Sequence, residues 1–298
     1  MHPRLSEREL ISLGAKRPKG KTAYVINPAP GETMPALTWQ TRPNGIQYLS
    51  ARFSSPRQRR GHNARLPESQ VDIFAELGIA ADAIYRATGR VFNPLTANVT
   101  DVHYAMDIHV GAERVRAILD RLEMRQLSGH TRIRFDDGVE FKRRQSSTQI
   151  YAKFIEVQVQ IEKGHIQPEH HYDALQAAEG VLRVEHRLSL AAVHRSQTRH
   201  GLSRVASEVL TAEASHRIIT ETLERLQFTE AVSNAETDRD LDRLIQFYPV
   251  KTAMRLIGFL VMVKSYGPSF WKVIAYPKRT YQGNLRLCKA AGVGAIDK

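Results

Sequence analysis

The chain has 298 residues, with 43 Lys and Arg against 31 Asp and Glu, a formal charge of +12. At 42% hydrophobic and 25% charged residues, it has the composition of an ordinary globular protein, which excludes disordered and collagen-like classes. Cys288 is the single cysteine, so no internal disulfide can form and nothing points to an oxidised, secreted scaffold.

The first nine residues lack the apolar core of a signal peptide. The most apolar run, 253–263, is interrupted by Arg255 and falls short of the roughly 20 residues that span a bilayer. The expectation is a soluble, cytoplasmic protein with no membrane partner.

In chain order, the first 40 residues read as irregular, with Pro28, Pro30 and Pro35 marking loop. Gly45 to Phe53 reads as a strand with Leu49, Ala51 and Phe53 on one face. Ser55-Pro56 opens an arginine loop that ends in Gly61-His62-Asn63, and residues 69–88 read as a helix. Val99 to Val110 gives the clearest strand: Val102, Tyr104, Met106, Ile108 and Val110 alternate with Asp101, His103, Ala105, Asp107 and His109. Residues 112–127 have helical spacing at Val115, Ile118, Leu119 and Leu122. Thr131 to Lys142 reads as a hairpin about Asp136-Asp137-Gly138. Strands follow at Ser147–Phe154 and Val181–Leu190, separated by a polar segment around Pro168. Helices are expected at about 204–228, 250–265 and 277–291, the last with Pro277 at its start and Gly292 after its end. These elements predict an α+β fold over residues 1–200, mainly antiparallel sheet with flanking helices, and a helical C-terminal region over 201–298.

The positive charge is clustered. Arg57, Arg59 and Arg60 belong to a run without an acid before Glu68, Lys142, Arg143 and Arg144 form a second cluster, and Arg183 and Arg187 begin a third. Lys278 and Arg279 belong to a basic tail in which Trp271, Tyr276 and Tyr281 lie among Lys272, Lys278 and Arg279. Segregated basic patches fit a polyanion partner, since phosphate contacts release counterions. The alternative is a solvated basic surface. For the tail, the alternative is that Tyr281, Leu285 and Cys288 form the core face of a helix.

Three strands carry polar faces. One presents Asp101, His103, Asp107 and His109; a second presents Gln149, Tyr151 and Lys153; a third presents Arg183, Glu185 and Arg187. If these strands are neighbours, one side of a sheet gathers carboxylates, imidazoles, a phenol and cations. That set suits metal-assisted phosphoryl chemistry, in which a divalent ion offsets developing charge on phosphate. Asp107 is the best ligand candidate, followed by His109 and His103, with Glu185 from another strand and Glu156 if the chain bends near Phe154. Lys153 is expected about 7 Å from Tyr151 along the same strand face. The alternative is a set of solvated strand faces with ordinary cross-strand ion pairs.

The order of motifs adds to this. Ser55-Pro56 with Gly61-His62-Asn63 is followed by the strand Thr100–Asp107. Then come Gly138-Val139-Glu140-Phe141, a Tyr-x-Lys-x-x-Glu motif at Tyr151, Lys153 and Glu156, and Leu182-Arg183-Val184-Glu185-His186-Arg187-Leu188. Over roughly residues 45–225 this series resembles the replication initiation endonucleases of filamentous phages, the gene II/X family, and more distantly plasmid rolling-circle initiators. Where that family reads Arg-x-Asp on its first acidic strand, this chain has Asp101-Val102-His103.

The resemblance implies a site-specific enzyme that nicks one strand of phage or plasmid origin DNA and later rejoins it. Tyr151 would be the nucleophile, Lys153 would orient the phosphate or stabilise the phenolate, and Asp107, Glu185 and Glu156 would hold Mg²⁺ or Mn²⁺. Arg183 and Arg187 would clamp the DNA backbone, and His62 and Asn63 would contact DNA beside the arginine loop. Host replication machinery in a bacterial cytoplasm would be the further partner. A non-catalytic DNA-binding accessory and a relaxase-like or transposase-like enzyme are the competing readings.

Overall fold

The computed structural model describes residues 6–18, 23–27, 35–41, 43–201, 203–266 and 277–293. Pro28 and Pro30, and the tail residues Trp271, Lys272 and Tyr276, lie outside them. The fold is α+β. The chain divides into two compact units, Met1–Val115 with Gln126–Thr222, and Arg116–Arg125 with Leu223–Lys298. The division after residue 222 falls later than the boundary expected at 200.

The first unit opens with α1 (Glu7–Ser12), whose start is fixed by a capping box between Ser6 and Glu9. Strands β1 (Ala23–Ile26), β2 (Ala36–Thr41) and β3 (Gln47–Arg52) then form an antiparallel three-stranded sheet. Leu10, Ile26, Leu37, Trp39 and Ile84 make its core. The described part of the first 40 residues is therefore structured, against expectation. Its strands are only four and six residues long, too short to stand out as alternation. The arginine loop is a short helix, α2 (Ser55–Arg60), followed by α3 (Gln70–Thr88).

A second sheet carries the polar faces. Its strands are β4 (Asp101–His109), β5 (Thr131–Phe135), β6 (Gly138–Lys142), β7 (Ser146–Ala152) and β8 (Val181–Ser189), with α4 (Ala112–Glu123) between β4 and β5. The spatial order is β4-β8-β7-β6-β5, antiparallel throughout. One face buries Val102, Tyr104, Val139, Phe141, Ile150, Leu182, Val184 and Leu188. Burying each such side chain is worth about 1.5–3 kcal/mol, and the alternation that reads as strand in the sequence is what turns these residues to one side.

The main departure follows β7. The strand stops at Ala152 and α5 (Lys153–Glu162) begins at the next residue, so the strand expected to reach Phe154 bends two residues early. The polar segment around Pro168 contains a 3₁₀ turn at Pro168–His170 and then α6 (His171–Ala178). Ala64, Val157, Ile166, Ala174 and Ala178 pack together as a small core that ties α5 and α6 to the segment after α2. After β8 come α7 (Leu190–His200), α8 (Ala206–Val209) and α9 (Ala212–Arg225).

The second unit holds α10 (Phe228–Phe247), α11 (Val250–Tyr266) and α12 (Lys278–Ala290). Leu244, Leu256, Phe259, Leu260, Val263, Tyr281 and Cys288 form its core. Tyr281 and Cys288 are thus the buried face of α12, with Leu285 packed beside them. Burial pushes the Cys288 thiol up to about 11, which makes it an inert small hydrophobe.

Candidate active site

Register brings the three polar faces together. Across β4, β8, β7 and β6, one row reads Asp107, Arg183, Tyr151, Gly138. The next reads Ala105, Glu185, Gln149, Glu140, and the one beyond it His103, Arg187, Ser147, Lys142. The rows grade from interior to solvent: the side chains of Arg183, Glu185 and Arg187 are 1%, 15% and 43% exposed.

Tyr151 is buried, 4% exposed, but its hydroxyl belongs to the polar face and donates to Glu185 Oε1 at 2.6 Å. It therefore aims along the sheet toward the open rows. Burial first, then the negative charge of Glu185, holds the phenol above its ordinary pKa. Burial alone would raise Glu185 too, but the hydrogen bond from Tyr151 and the charges of Arg187, Arg183 and Lys153 outweigh it, and the carboxyl sits below its usual range. Gly138 stands opposite Tyr151, where a Cβ would lie 2.6 Å from Tyr151 Cβ and 2.8 Å from its Cα. Only a glycine fits there without displacing the tyrosine.

Lys153 reaches the phenol from the first residue of α5, not from the strand face. Its Nζ lies 5.9 Å from the centre of the Tyr151 ring and donates to Glu156 Oε2 at 2.6 Å and Asn63 Oδ1 at 3.0 Å. The ammonium is wholly buried, and that burial, with the charge of Arg183, draws its pKa down to about 8 against the opposing pull of Glu156 and Glu185. The bend at Lys153 is what turns Glu156 toward this cluster. The spacing of three residues in a helix then places Glu156 beside the lysine.

Arg183 is a structural cation. Its guanidinium grips both oxygens of Asp107, at 2.6 and 2.7 Å, and also donates to the carbonyls of Asn63 and Ala64. It is buried, with these partners around it, so its expected role as a DNA clamp does not hold in this arrangement. The same contacts hold residues 63 and 64 against Arg183.

The expected metal ligands do not converge. Asp107 is taken by Arg183, Glu156 by Lys153, and Glu185 by Tyr151 and Arg187. His103 Nε2 lies 3.0 Å from Asp101, and His109 is exposed at the end of β4 opposite Val181. Among the described residues, no three His, Cys, Asp or Glu side chains form a metal-binding group. As arranged, the donors do not fit Mg²⁺ or Mn²⁺, because organic cations and a phenol already answer the carboxylates.

The arginine segment also faces inward. Arg57 donates to the carbonyl of His165, Arg59 pairs with Asp72 at 2.7 Å, and Arg60 donates to the carbonyls of Arg65 and Leu66. His62 is buried: its Nδ1 accepts from the Ala64 N–H, and its Nε2 lies 3.2 Å from Asp173. These contacts make a scaffold of residues expected on DNA. Asn63 supports Lys153. Arg143 and Arg144 are exposed beside the sheet, and Lys278 and Arg279 are exposed at the start of α12 in the other unit.

Two contributors escaped the sequence reading. Asp173 holds both His62 and Arg65. Asp137 accepts the Ala152 N–H through its carbonyl, and its carboxyl is pushed up by burial and by the charge of Glu156. Only the Asp-Asp-Gly turn signalled Asp137, and nothing in the polar segment signalled Asp173. Comparison with protein families, curated proteins and solved structures finds no match.

Proposed function

We propose that the chain is a DNA strand-nicking and strand-joining enzyme, acting on the origin of a phage or plasmid genome through a covalent tyrosine intermediate. The observation that carries this reading is the 2.6 Å hydrogen bond from Tyr151 to Glu185, with the Lys153 ammonium against the ring. A buried phenol is a weak nucleophile until a neighbouring base takes its proton. In the proposed step the Tyr151 oxygen bonds to phosphorus, and that bond makes its proton acidic enough to pass to Glu185, against the resting preference of the pair. The bond from phosphorus to the 3′ oxygen breaks, leaving a 5′ phosphotyrosine and a 3′ hydroxyl once that oxygen takes up a proton. Lys153, with its ammonium 5.9 Å from the ring centre, offsets the charge that the phenol oxygen gains as its proton leaves. Rejoining is the same exchange in reverse.

The motif order, the basic surface and the resemblance to gene II/X initiators support the same reading, as does the grading of the face toward solvent at Arg187. No helix among the described residues is long and apolar enough to cross a membrane, and a place in the bacterial cytoplasm beside the host replication machinery belongs to the proposal. No step is assigned to Mg²⁺ or Mn²⁺.

The test is incubation with supercoiled circles carrying the DNA that flanks the coding sequence, in Mg²⁺, in Mn²⁺ and in chelator. The expected result is open circles with protein joined to the 5′ end. Tyr151→Phe should abolish the adduct, and Glu185→Gln should slow its formation by about 10²–10⁴-fold. An adduct formed by the phenylalanine variant would remove Tyr151 as nucleophile. The second reading, a DNA-binding accessory without chemistry, is favoured by the burial of Tyr151 and the full pairing of Asp107. It prevails if DNA is bound and never cut under any of the three conditions.

A further inference from the structure

We propose that the open end of the five-stranded sheet is a phosphate-binding subsite for single-stranded DNA, built from Arg187 and Lys142 and bordered by Arg52 and His103. It rests on the reading of this face as the one on which DNA lies, and it adds the substrate form and the contacts away from the reacting bond.

The row that register assembles here contains no carboxylate: His103, Arg187, Ser147 and Lys142 follow one another across β4, β8, β7 and β6. Adjacent strands are about 4.8 Å apart, so the backbones of Arg187 and Lys142 stand about 10 Å apart, with the buried Ser147 on the strand between them. Both long side chains can converge on one phosphate over Ser147. Arg187 is held loosely, with 3.2 Å to Gln149 and 3.4 Å to Glu185, and its side chain is 43% exposed. Its terminal guanidinium nitrogen, which makes both of those long contacts, can turn from them to a phosphate. Lys142 is exposed and is followed by exposed Arg143 and Arg144. Arg52, at the end of β3, lies close enough to act on His103, whose imidazole is held below its ordinary pKa by burial, then Arg187, then Arg52. Asp101 pairs with His103, and Glu185 and Glu140 stand one row inward.

Four residues along β7 separate Ser147 from Tyr151, about 13 Å in a strand. A single strand laid along β7 and β8 therefore spans the two positions with a few nucleotides. Its bases would face the β5 side, where Phe135 is exposed at the end of the Tyr151 row, beside Gly138. Aromatic side chains beside a cationic track are the usual means of holding unpaired bases. A duplex keeps its bases stacked inside and offers none to Phe135.

The experiment is fluorescence anisotropy of labelled dT15, and of the dT15·dA15 duplex, with the full chain over a range of salt concentrations. Each lost phosphate contact to a single strand lowers the slope of log K against log salt by about 0.7. Arg187→Gln and Lys142→Gln should each reduce the slope by about that much, and the double variant by about twice as much. Phe135→Ala should weaken binding about five- to hundredfold with the slope unchanged. Lys142 is exposed, so its variant carries the test if the Arg187 variant fails to fold. Unchanged slopes, or tighter binding of the duplex than of dT15, would overturn the proposal. Binding is read apart from cutting: normal slopes and losses in a protein that never nicks would sustain the subsite and sink the nickase. An adduct at Tyr151 from a protein whose slopes ignore both substitutions would do the reverse.

Discussion

Bonded to Glu156 and Asn63 and drawn down to about 8, Lys153 gives up its charge within the range in which DNA enzymes are assayed. The ammonium is present below that value and lost above it. Joining activity that depends on this charge should fall as pH rises through about 8. Lys153→Arg, whose guanidinium stays protonated, should remove that alkaline limb, and an unaltered limb would acquit the lysine. The linkage to stability has the opposite slope: the unfolded chain binds the proton more tightly, so stability rises with pH from about 8 to the ordinary lysine value of 10.5. Asp107 separates two roles in the same way. As the partner of buried Arg183, its loss in Asp107→Asn should cost about 3–5 kcal/mol, read by urea unfolding. Full stability with lost cutting would return it to the reacting centre.

At the scale of elements, Gly138 and Tyr151 are joined through strand pairing. Gly138→Ala should lower stability by about 1–3 kcal/mol as the added methyl forces β6 and β7 apart, and it should slow adduct formation more than it weakens DNA binding. Equal losses in both would mean that the whole sheet had shifted. The strands around this site were legible because alternation over seven to nine residues is a strong signal: Asp101–His109, Ser146–Ala152 and Val181–Ser189 were found within two residues. Their pairing was only a condition of the sequence reading, and the register of β4, β8 and β7 supplies it. The helix at Lys153 was hidden because Ile150, Ala152 and Phe154 continue the strand's alternation past the point where the backbone turns. Three-dimensional partners were not legible at all. Arg183 reads as a surface cation from its polar alternation, and only the fold brings Asp107 and two loop carbonyls around it. Arg59 is likewise neutralised by Asp72, thirteen positions away on another helix.

At the scale of the molecule, the two units have separate cores, Ile150 and its neighbours in one and Leu256 with Phe259 in the other. Multidomain chains commonly depart from two-state unfolding. Urea unfolding followed by circular dichroism should show two transitions, with Ile150→Ala lowering one midpoint and Leu256→Ala the other. A single transition that both substitutions lower equally would make the units one cooperative body. The basic composition that suggests a polyanion partner is also a property at this scale, but it did not distinguish arginines that face solvent from those that brace the scaffold.

The passage from β7 into α5 without a connecting loop has a consequence for tolerance to insertion. The interval between Tyr151 and Lys153 is a length of covalent chain with nothing slack in it. One extra residue after Ala152 would rotate every later position of the helix by about 100°. The amine and the carboxylate of Glu156 would swing off the phenol together. A substitution keeps the count of residues from Tyr151 to Lys153; an insertion does not.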